Sequence, residues 1–298
     1  MRTGLSDSLD QIDDSRKTAI IDRELHRLNV DISALQETRL ADCGSLKEKH
    51  YTFFWQGKSA EETREYGVGF AVRNTLLPMM NPPTGGSERI LAIRLSTSSG
   101  PANLLSAYAP TLCSPSESKD KFYEELDAAV NTFPKNEHLL LLGDFNARVG
   151  ADHESWPDCL GHFGVGSMNE NGQRLLEMCS YHKLCITNTF FQTKPLHRVS
   201  WRHPRSKRWH QLDLIITRRE ALNSVHLTRT FHSADCDTDH SLILSKVKLQ
   251  PKQIHHTKQK ARPRINASRS TNPAVTQRFL SSLDQALCAS NRQNAVEK

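Results

Sequence analysis

Apolar residues recur at helical spacing in three stretches of the chain. Residues 15–28 set Ile21, Leu25 and Leu28 on one face, with Asp14 or Ser15 as the N-cap. Residues 118–133 align Phe122, Leu126, Ala129, Val130 and Phe133 in one stripe, and Pro134 stops the helix. A shorter helix, 172–182, turns Leu175, Leu176 and Cys179 inward. Between them the period falls to two: Val68, Phe70 and Val72 alternate with polar or small neighbours, as do Leu91, Ile93 and Leu95. Further strands are expected at 31–35, 51–55, 103–108, 138–142, 184–187, 211–217, 225–230 and 241–249, with a turn at 98–102. About ten strands with three helices among them predict two packed, mainly antiparallel sheets with helices on their outer faces. So many hairpin-like strands argue against a doubly wound parallel sheet.

The strand-like period ends near residue 250, so residues 1–250 are expected to form one domain and 251–298 a tail. Residues 251–272 are basic and rich in His, Gln, Arg and Ser, a composition that predicts no packed core. Residues 275–289 follow with one amphipathic helix carrying Phe279, Leu280, Leu283 and Leu287.

Charge sharpens this division. The 298 residues carry a net charge of +6, from 39 Lys/Arg and 33 Asp/Glu. Nine of those bases and two of those acids lie in 251–298, leaving thirty and thirty-one in the body. A near-neutral body must hold a polyanion through a local patch or a metal, whereas the tail can attract one at long range. No stretch approaches the roughly 18 apolar residues of a membrane span. The first 30 residues hold no continuous apolar run of the secretory type, so an intracellular chain is expected. Seven scattered cysteines, with no C-x-x-C pair and no zinc-like Cys/His spacing, are expected to be reduced and mostly buried.

Five segments place polar groups at strand ends: Leu35-Gln36-Glu37-Thr38, Ser106-Ala107-Tyr108-Ala109-Pro110, Gly143-Asp144-Phe145-Asn146, Gln211-Leu212-Asp213-Leu214-Ile215 and Asp237-Thr238-Asp239-His240-Ser241. Each alone reads as structure: a solvated strand edge, an Asx-turn, a surface loop. Together they supply carboxylates, an imidazole, a phenol and an amide. Phosphodiester cleavage needs such a set: hard oxygen ligands for Mg²⁺, a base near water, and donors for phosphate oxygens.

In that order the segments resemble the endonuclease/exonuclease/phosphatase superfamily, which includes apurinic endonucleases and pancreatic deoxyribonuclease. More closely, Gln36-Glu37-Thr38-Arg39, Tyr108-Ala109-Pro110-Thr111, Asn171-Gly172-Gln173, Ser200-Trp201-Arg202-His203-Pro204 and Asp239-His240 look like the endonuclease domain of non-LTR (LINE-type) retrotransposons. The resemblance spans about residues 4–250. It implies a four-layer α/β sandwich and a Mg²⁺-dependent (or Mn²⁺-dependent) nuclease that nicks DNA, leaving 3′-hydroxyl and 5′-phosphate ends. Glu37 would be the principal Mg²⁺ ligand, with Asp239 near the metal or the water. Asp144 would orient or deprotonate the water, and Asn146 would touch phosphate and metal. Tyr108, at the rim of the cleft, would donate to the phosphate. Asp213 would fix the tautomer of His240, which contacts the scissile phosphate. Trp201 and His203 would face DNA. By their charge, and not by the resemblance, the basic side chains of the tail, Lys258 and Arg262 among them, are expected to hold DNA phosphates, the alternative being a solvated linker. The resemblance further implies a monomer acting on DNA in the nucleus, not at a membrane. A reverse transcriptase domain would follow in a full-length element.

Members of that family open with a central strand ending in an Asn of the catalytic network, and this chain starts where that strand should have ended. A catalytically impaired copy that serves as a nucleic-acid-binding or scaffold module is therefore a competing expectation. A phosphatase or lipid phosphodiesterase of the same fold is another.

Overall fold

The computed structural model describes residues 17–83, 85–234, 238–252 and 273–293. In chain order the elements are α1 (Lys17–Arg27), β1 (Ile32–Gln36), β2 (Cys43–Lys47), β3 (Tyr51–Gln56), β4 (Val68–Arg73), β5 (Met80–Asn81), β6 (Ile90–Thr97) and β7 (Gly100–Tyr108). Then come α2 (Ser116–Asn131), β8 (His138–Asp144), α3 (Glu170–His182), β9 (Leu184–Ile186), β10 (Trp201–Arg202), β11 (Trp209–His210) and β12 (Asp213–Arg218). The last are β13 (Val225–Phe231), β14 (Leu242–Val247) and α4 (Pro273–Gln293). The expected caps of α1, Asp14 and Ser15, lie outside the described residues.

The strands do not form two continuous sheets. A six-stranded sheet runs β5-β6-β7-β8-β12-β9 and a four-stranded sheet runs β1-β4-β3-β2, while β13-β14 and β10-β11 are separate two-stranded pieces. The hydrophobic period reveals which residues are strands. It does not reveal how far each ladder continues sideways, because that depends on partners remote in sequence.

Burial shows four layers. On one face of the six-stranded sheet, Leu105, Leu139, Leu141, Leu214 and Ile216 pack against Phe122, Leu126 and Val130 of α2 and Leu175, Leu176 and Cys179 of α3. The other face, with Ile93, Leu95, Leu104, Leu140 and Ile215, meets Val68, Phe70 and Val72 of the four-stranded sheet. That sheet's far side, with Leu35, Tyr51, Phe53 and Ala71, is covered by Ile21 and Leu25 of α1 together with Leu242. The arrangement is the four-layer α/β sandwich. Strand β8 carries four consecutive leucines, Leu139 to Leu142, because it packs on both faces and is paired at both edges.

Pairing is antiparallel except between β7 and β8, which run parallel from Ala102↔His138 to Tyr108↔Asp144. A parallel pair needs a long crossover, and α2 provides it. Arg218 ties this crossover down: its guanidinium donates to the carbonyls of Phe133, Pro134 and Glu137. Helix α3 is capped at Asn169, whose side chain accepts from Gly172 N at 2.8 Å, and it ends at Lys183 in the left-handed conformation (φ 55°).

At Gly143 the β7–β8 ladder leaves no room for a side chain, since a methyl would overlap the Ala107 carbonyl oxygen. Gly143→Ala is therefore expected to destabilise the fold by about 1–3 kcal/mol, read as a lower urea midpoint at unchanged slope. An unchanged midpoint would show that the ladder yields there.

The second compact unit, His255–Lys298, contributes α4. Phe279, Leu280 and Leu283 on that helix are exposed. Among the described residues no helix is long and apolar enough to cross a membrane. Cys159, Cys179 and Cys185 are buried, and burial pushes all three thiols upward. Cys43 and Cys113 are exposed, so among the described residues the expectation of burial holds for Cys159, Cys179 and Cys185.

Candidate active site

The polar segments meet because three strands end at the same level of the six-stranded sheet. Tyr108 closes β7, Asp144 closes β8 and Asp213 opens β12. Tyr108 is the register partner of Asp144, and Asp144 that of Asp213. Strand register thus gathers a phenol and two carboxylates that lie more than thirty residues apart along the chain.

The four-stranded sheet delivers the next group. Ser106 Oγ donates to the Leu35 carbonyl at 3.1 Å, and Gln36 Nε2 donates to that hydroxyl at 3.1 Å, so the end of β1 is clamped to β7. The backbone then enters the left-handed region at Glu37 (φ 53°) and again at Arg39 (φ 54°). For non-glycine residues this conformation costs roughly 1–2 kcal/mol each. The turn is held by Thr38 N donating to the Gly67 carbonyl and Arg39 N to that of Tyr66. It brings the Glu37 carboxylate to Tyr108, whose hydroxyl donates to Oε1 at 2.5 Å, while Arg39 lies 3.5 Å from Oε2. Tyr108 is not at the rim. It is 5% exposed, with the Arg89 guanidinium 5.5 Å from its ring and also 3.9 Å over that of Tyr66.

Asp144 is fully buried, and its Oδ1 accepts from Asn146 N at 2.9 Å, the Asx-turn anticipated for Gly-Asp-Phe-Asn. Asn146 is itself left-handed (φ 47°), a conformation Asn tolerates better than most residues. Its side-chain amide donates to the Ala109 carbonyl, and Asn171 donates to the carbonyls of both Asn146 and Pro110. Asn171 therefore braces the two loops that carry Tyr108 and Asn146.

Nδ1 of His240 lies 2.8 Å from Asp213 Oδ2. Burial by itself would raise the Asp213 carboxyl, but the charge of His240 and hydrogen bonds from His240 and Ser200 bring it down to about 2. An ionised carboxylate can only accept, so the imidazole proton sits on Nδ1 and donates to Asp213. Asn188, which sequence reasoning did not single out, fixes this end of β12. It donates to the Asp213 carbonyl at 3.1 Å and accepts from Ile215 N at 2.8 Å. Nothing in Thr187-Asn188-Thr189 as sequence marks that role, which exists only because β9 lies beside β12.

Trp201 forms the wall on the His240 side. Its indole N–H donates to Asp239 Oδ2 at 2.9 Å, and its ring centroid lies 5.4, 5.9 and 6.1 Å from those of His203, His210 and His240. Trp201 and His203 are half-buried, Asp239 is exposed, and Lys258 and Arg262 lie outside the described residues.

Among the described residues, the side chains close enough to hold one metal ion together are Asp144, Asp213 and His240, whose ligand atoms lie within 4.8 Å of one another. Glu37 and Asp239 do not belong to that group. Two carboxylates and an imidazole are chemically able to bind a divalent cation. An ion drawing on all three would have to compete with the Asp213–His240 hydrogen bond. Glu37, hydrogen-bonded to Tyr108, and Asp144, the register partner of Tyr108, offer carboxylate oxygens without breaking it.

The profile of the Endonuclease/Exonuclease/phosphatase family matches residues 7–288. Craniofacial development protein 2 of Bos taurus is 30% identical over 241 residues, which are 81% of this chain and 40% of that protein. Its counterpart in Tragulus javanicus is 29% identical over 241 residues, 81% and 41%. The chain thus spans about two-fifths of the length of these curated relatives. Among solved structures, the endonuclease domain of TRAS1, a telomere-specific non-LTR retrotransposon, superposes with a TM-score of 0.56 at 13% identity, covering 84% of this chain and 96% of that one. The catalytic domain of Xenopus laevis APE2 gives 0.59 at 16%, covering 80% and 90%, and an AP endonuclease from Archaeoglobus fulgidus gives 0.56 at 15%, covering 78% and 94%. At these identities the superpositions establish the shared fold.

Proposed function

This chain belongs to the endonuclease/exonuclease/phosphatase family, and we propose that it is a Mg²⁺-dependent endonuclease that nicks DNA. Family members are generally hydrolases acting on phosphodiester bonds, and the nucleases among them generally need a divalent metal. The observation that carries the proposal is the convergence at one end of the sandwich of Glu37 hydrogen-bonded to Tyr108, of Tyr108, Asp144 and Asp213 in register on adjacent strands, and of His240 hydrogen-bonded to Asp213.

A bound divalent cation would neutralise charge on the phosphate, with Glu37 and Asp144 as the oxygen ligands that leave the Asp213–His240 bond intact. Asp144 takes the proton of the attacking water. Asp213 holds His240 in one tautomer, so its other nitrogen, Nε2, is the one that acts on the scissile phosphate. Tyr108 positions the Glu37 carboxylate through its hydroxyl. The half-buried Trp201 and His203 supply ring surface for the nucleic acid beside His240. Lys258 and Arg262 attach to phosphates without reading sequence.

Incubation with supercoiled plasmid and Mg²⁺ should yield nicked circles that DNA ligase reseals, as 3′-hydroxyl and 5′-phosphate ends require. Excess chelator should stop the reaction, and Mg²⁺ or Mn²⁺ should restore it. Full turnover after exhaustive chelation would exclude the metal. Faster release of phosphate from a monoester or an inositol lipid than from DNA would favour a phosphatase or lipid phosphodiesterase.

A second reading, a nucleic-acid-binding module without turnover, is favoured by β1, the strand that leads into Glu37, which among the described residues is paired on one edge alone. DNA binding that persists with no nicking in either metal would select it.

A further inference from the structure

The segment Asn171-Gly172-Gln173 takes no part in the proposed reaction, yet it fixes where the chain goes after Asn146. Asn171 Nδ2 donates to the Asn146 carbonyl at 3.0 Å. Two residues on, Arg148 N donates to Asn169 Oδ1 at 3.0 Å, and the Arg148 carbonyl accepts from Asn169 N at 3.0 Å. Gly172 completes the clamp, since a methyl there would overlap the Arg148 carbonyl oxygen. The backbone of Asn146 and Arg148 is thus held against the start of α3, and Arg148 leaves the same turn that presents Asn146 to the site.

Arg148 is half-buried. Arg174, also half-buried, is paired with Asp120 and Glu170. Among the described residues the Arg148 guanidinium meets no such carboxylate and no hydrogen-bond acceptor. A charge partly withdrawn from water is costly unless it is paired. Its positive charge is felt on the site side of the β10–β11 hairpin. There burial, and then the charges of Arg148, His203 and Arg208, hold the His210 imidazole below its ordinary value. His210 is the register partner of Trp201, with ring centroids 5.9 Å apart. Arg148 therefore stands between the loop that carries Asn146 and the wall built on Trp201, a cation with no counter-ion of its own. A guanidinium presents a planar fork of donors that matches the oxygens of a phosphate.

We propose that Arg148 holds the phosphate next to the scissile one, on the Trp201 side, and so selects a polynucleotide over an isolated phosphate ester. The inference rests on the reading of this site as one that nicks DNA, and it adds a requirement on the substrate. The reacting phosphate is served by the metal ligands and His240. Arg148 grips its neighbour, which a lone diester does not possess.

The test compares wild type with Arg148→Gln, Arg148→Lys and Arg23→Gln. The last removes an exposed charge from α1, on the far layer of the sandwich. Supercoiled plasmid and bis(p-nitrophenyl) phosphate, a diester with no second phosphate, are the two substrates. With Mg²⁺, Arg148→Gln should lower kcat/KM on plasmid by about tenfold to a hundredfold, the loss typical of one charge-assisted contact. Its rate on the small diester and its urea midpoint should not change. Binding to a short fluorescent duplex in excess chelator supplies a readout without turnover. The slope of log affinity against log salt should shrink by about 0.9 in Arg148→Gln. It should stay at the wild-type value in Arg148→Lys, which keeps the charge and loses the fork. Arg23→Gln should match wild type throughout. Equal losses on both substrates would make Arg148 a support of the Asn146 loop and overturn the proposal. So would a wild-type salt slope in Arg148→Gln, or a slope in Arg148→Lys that falls as far as that of Arg148→Gln. If wild type binds the duplex yet cuts neither substrate, the nuclease reading fails alone and the salt slope still decides on Arg148. A chain that neither binds nor cuts DNA overturns both.

Discussion

Asp144→Asn is expected to lower plasmid-nicking turnover by a factor on the order of 10² to 10⁴, the range typical of losing a positioned general base. The amide is isosteric with the carboxylate and can still accept from Asn146 N through its oxygen, so the Asx-turn that shapes the loop survives. It cannot take a proton from water, and it contributes no charge to a metal. Folding should therefore be nearly unchanged while chemistry collapses. Two measurements separate these: single-turnover rate at saturating DNA and metal, and the urea midpoint. A variant that keeps wild-type turnover would remove Asp144 from the mechanism. One whose midpoint falls in proportion to its rate would make Asp144 structural.

Asp213→Ala should have the largest effect on stability. The pair Asp213–His240 is buried, with Asp213 6% and His240 4% exposed, so removing the carboxylate strands the imidazole. Breaking such a pair costs about 3–5 kcal/mol, or a melting temperature lower by roughly 10 °C for a domain of this size. The pH dependence follows from the sign of the shift. A carboxyl held at about 2, against an ordinary 3.8, contributes stability that is complete above pH 4 and lost as the pH falls toward 2. The wild-type chain should lose stability through that window and the variant should lose less. Asp213→Asn tests the catalytic side, since the neutral amide no longer enforces the His240 tautomer and turnover should fall more than binding does. Equal acid sensitivity of wild type and Asp213→Ala would show that another carboxylate dominates.

The two variants also divide the proposed site by cause. In the proposed mechanism Asp144 acts on reacting atoms, so its loss should be kinetic. Asp213 would act through His240 and through burial, so its loss should be both kinetic and structural. Asn188 and Asn171 act at a further remove, by holding the chain segments that carry Asp213 and Asn146.

The sequence by itself determined the identities of the chemical groups and most of the elements. Helices α2 and α3 and strands such as β6 and β8 were legible because burial of one face or of both imprints a period on the residues. The segments that carry Glu37, Tyr108, Asp144, Asp213 and His240 were legible because a polar residue closing an apolar run stands out. Only the tertiary structure decided which of these groups touch. Tyr108, Asp144 and Asp213 are neighbours through strand register across β7, β8 and β12. Register is a relation between distant segments that leaves no periodic mark in any one of them. The same holds for Tyr108, expected at the rim but buried against Glu37, and for Asn188, whose function arises from β9 lying beside β12.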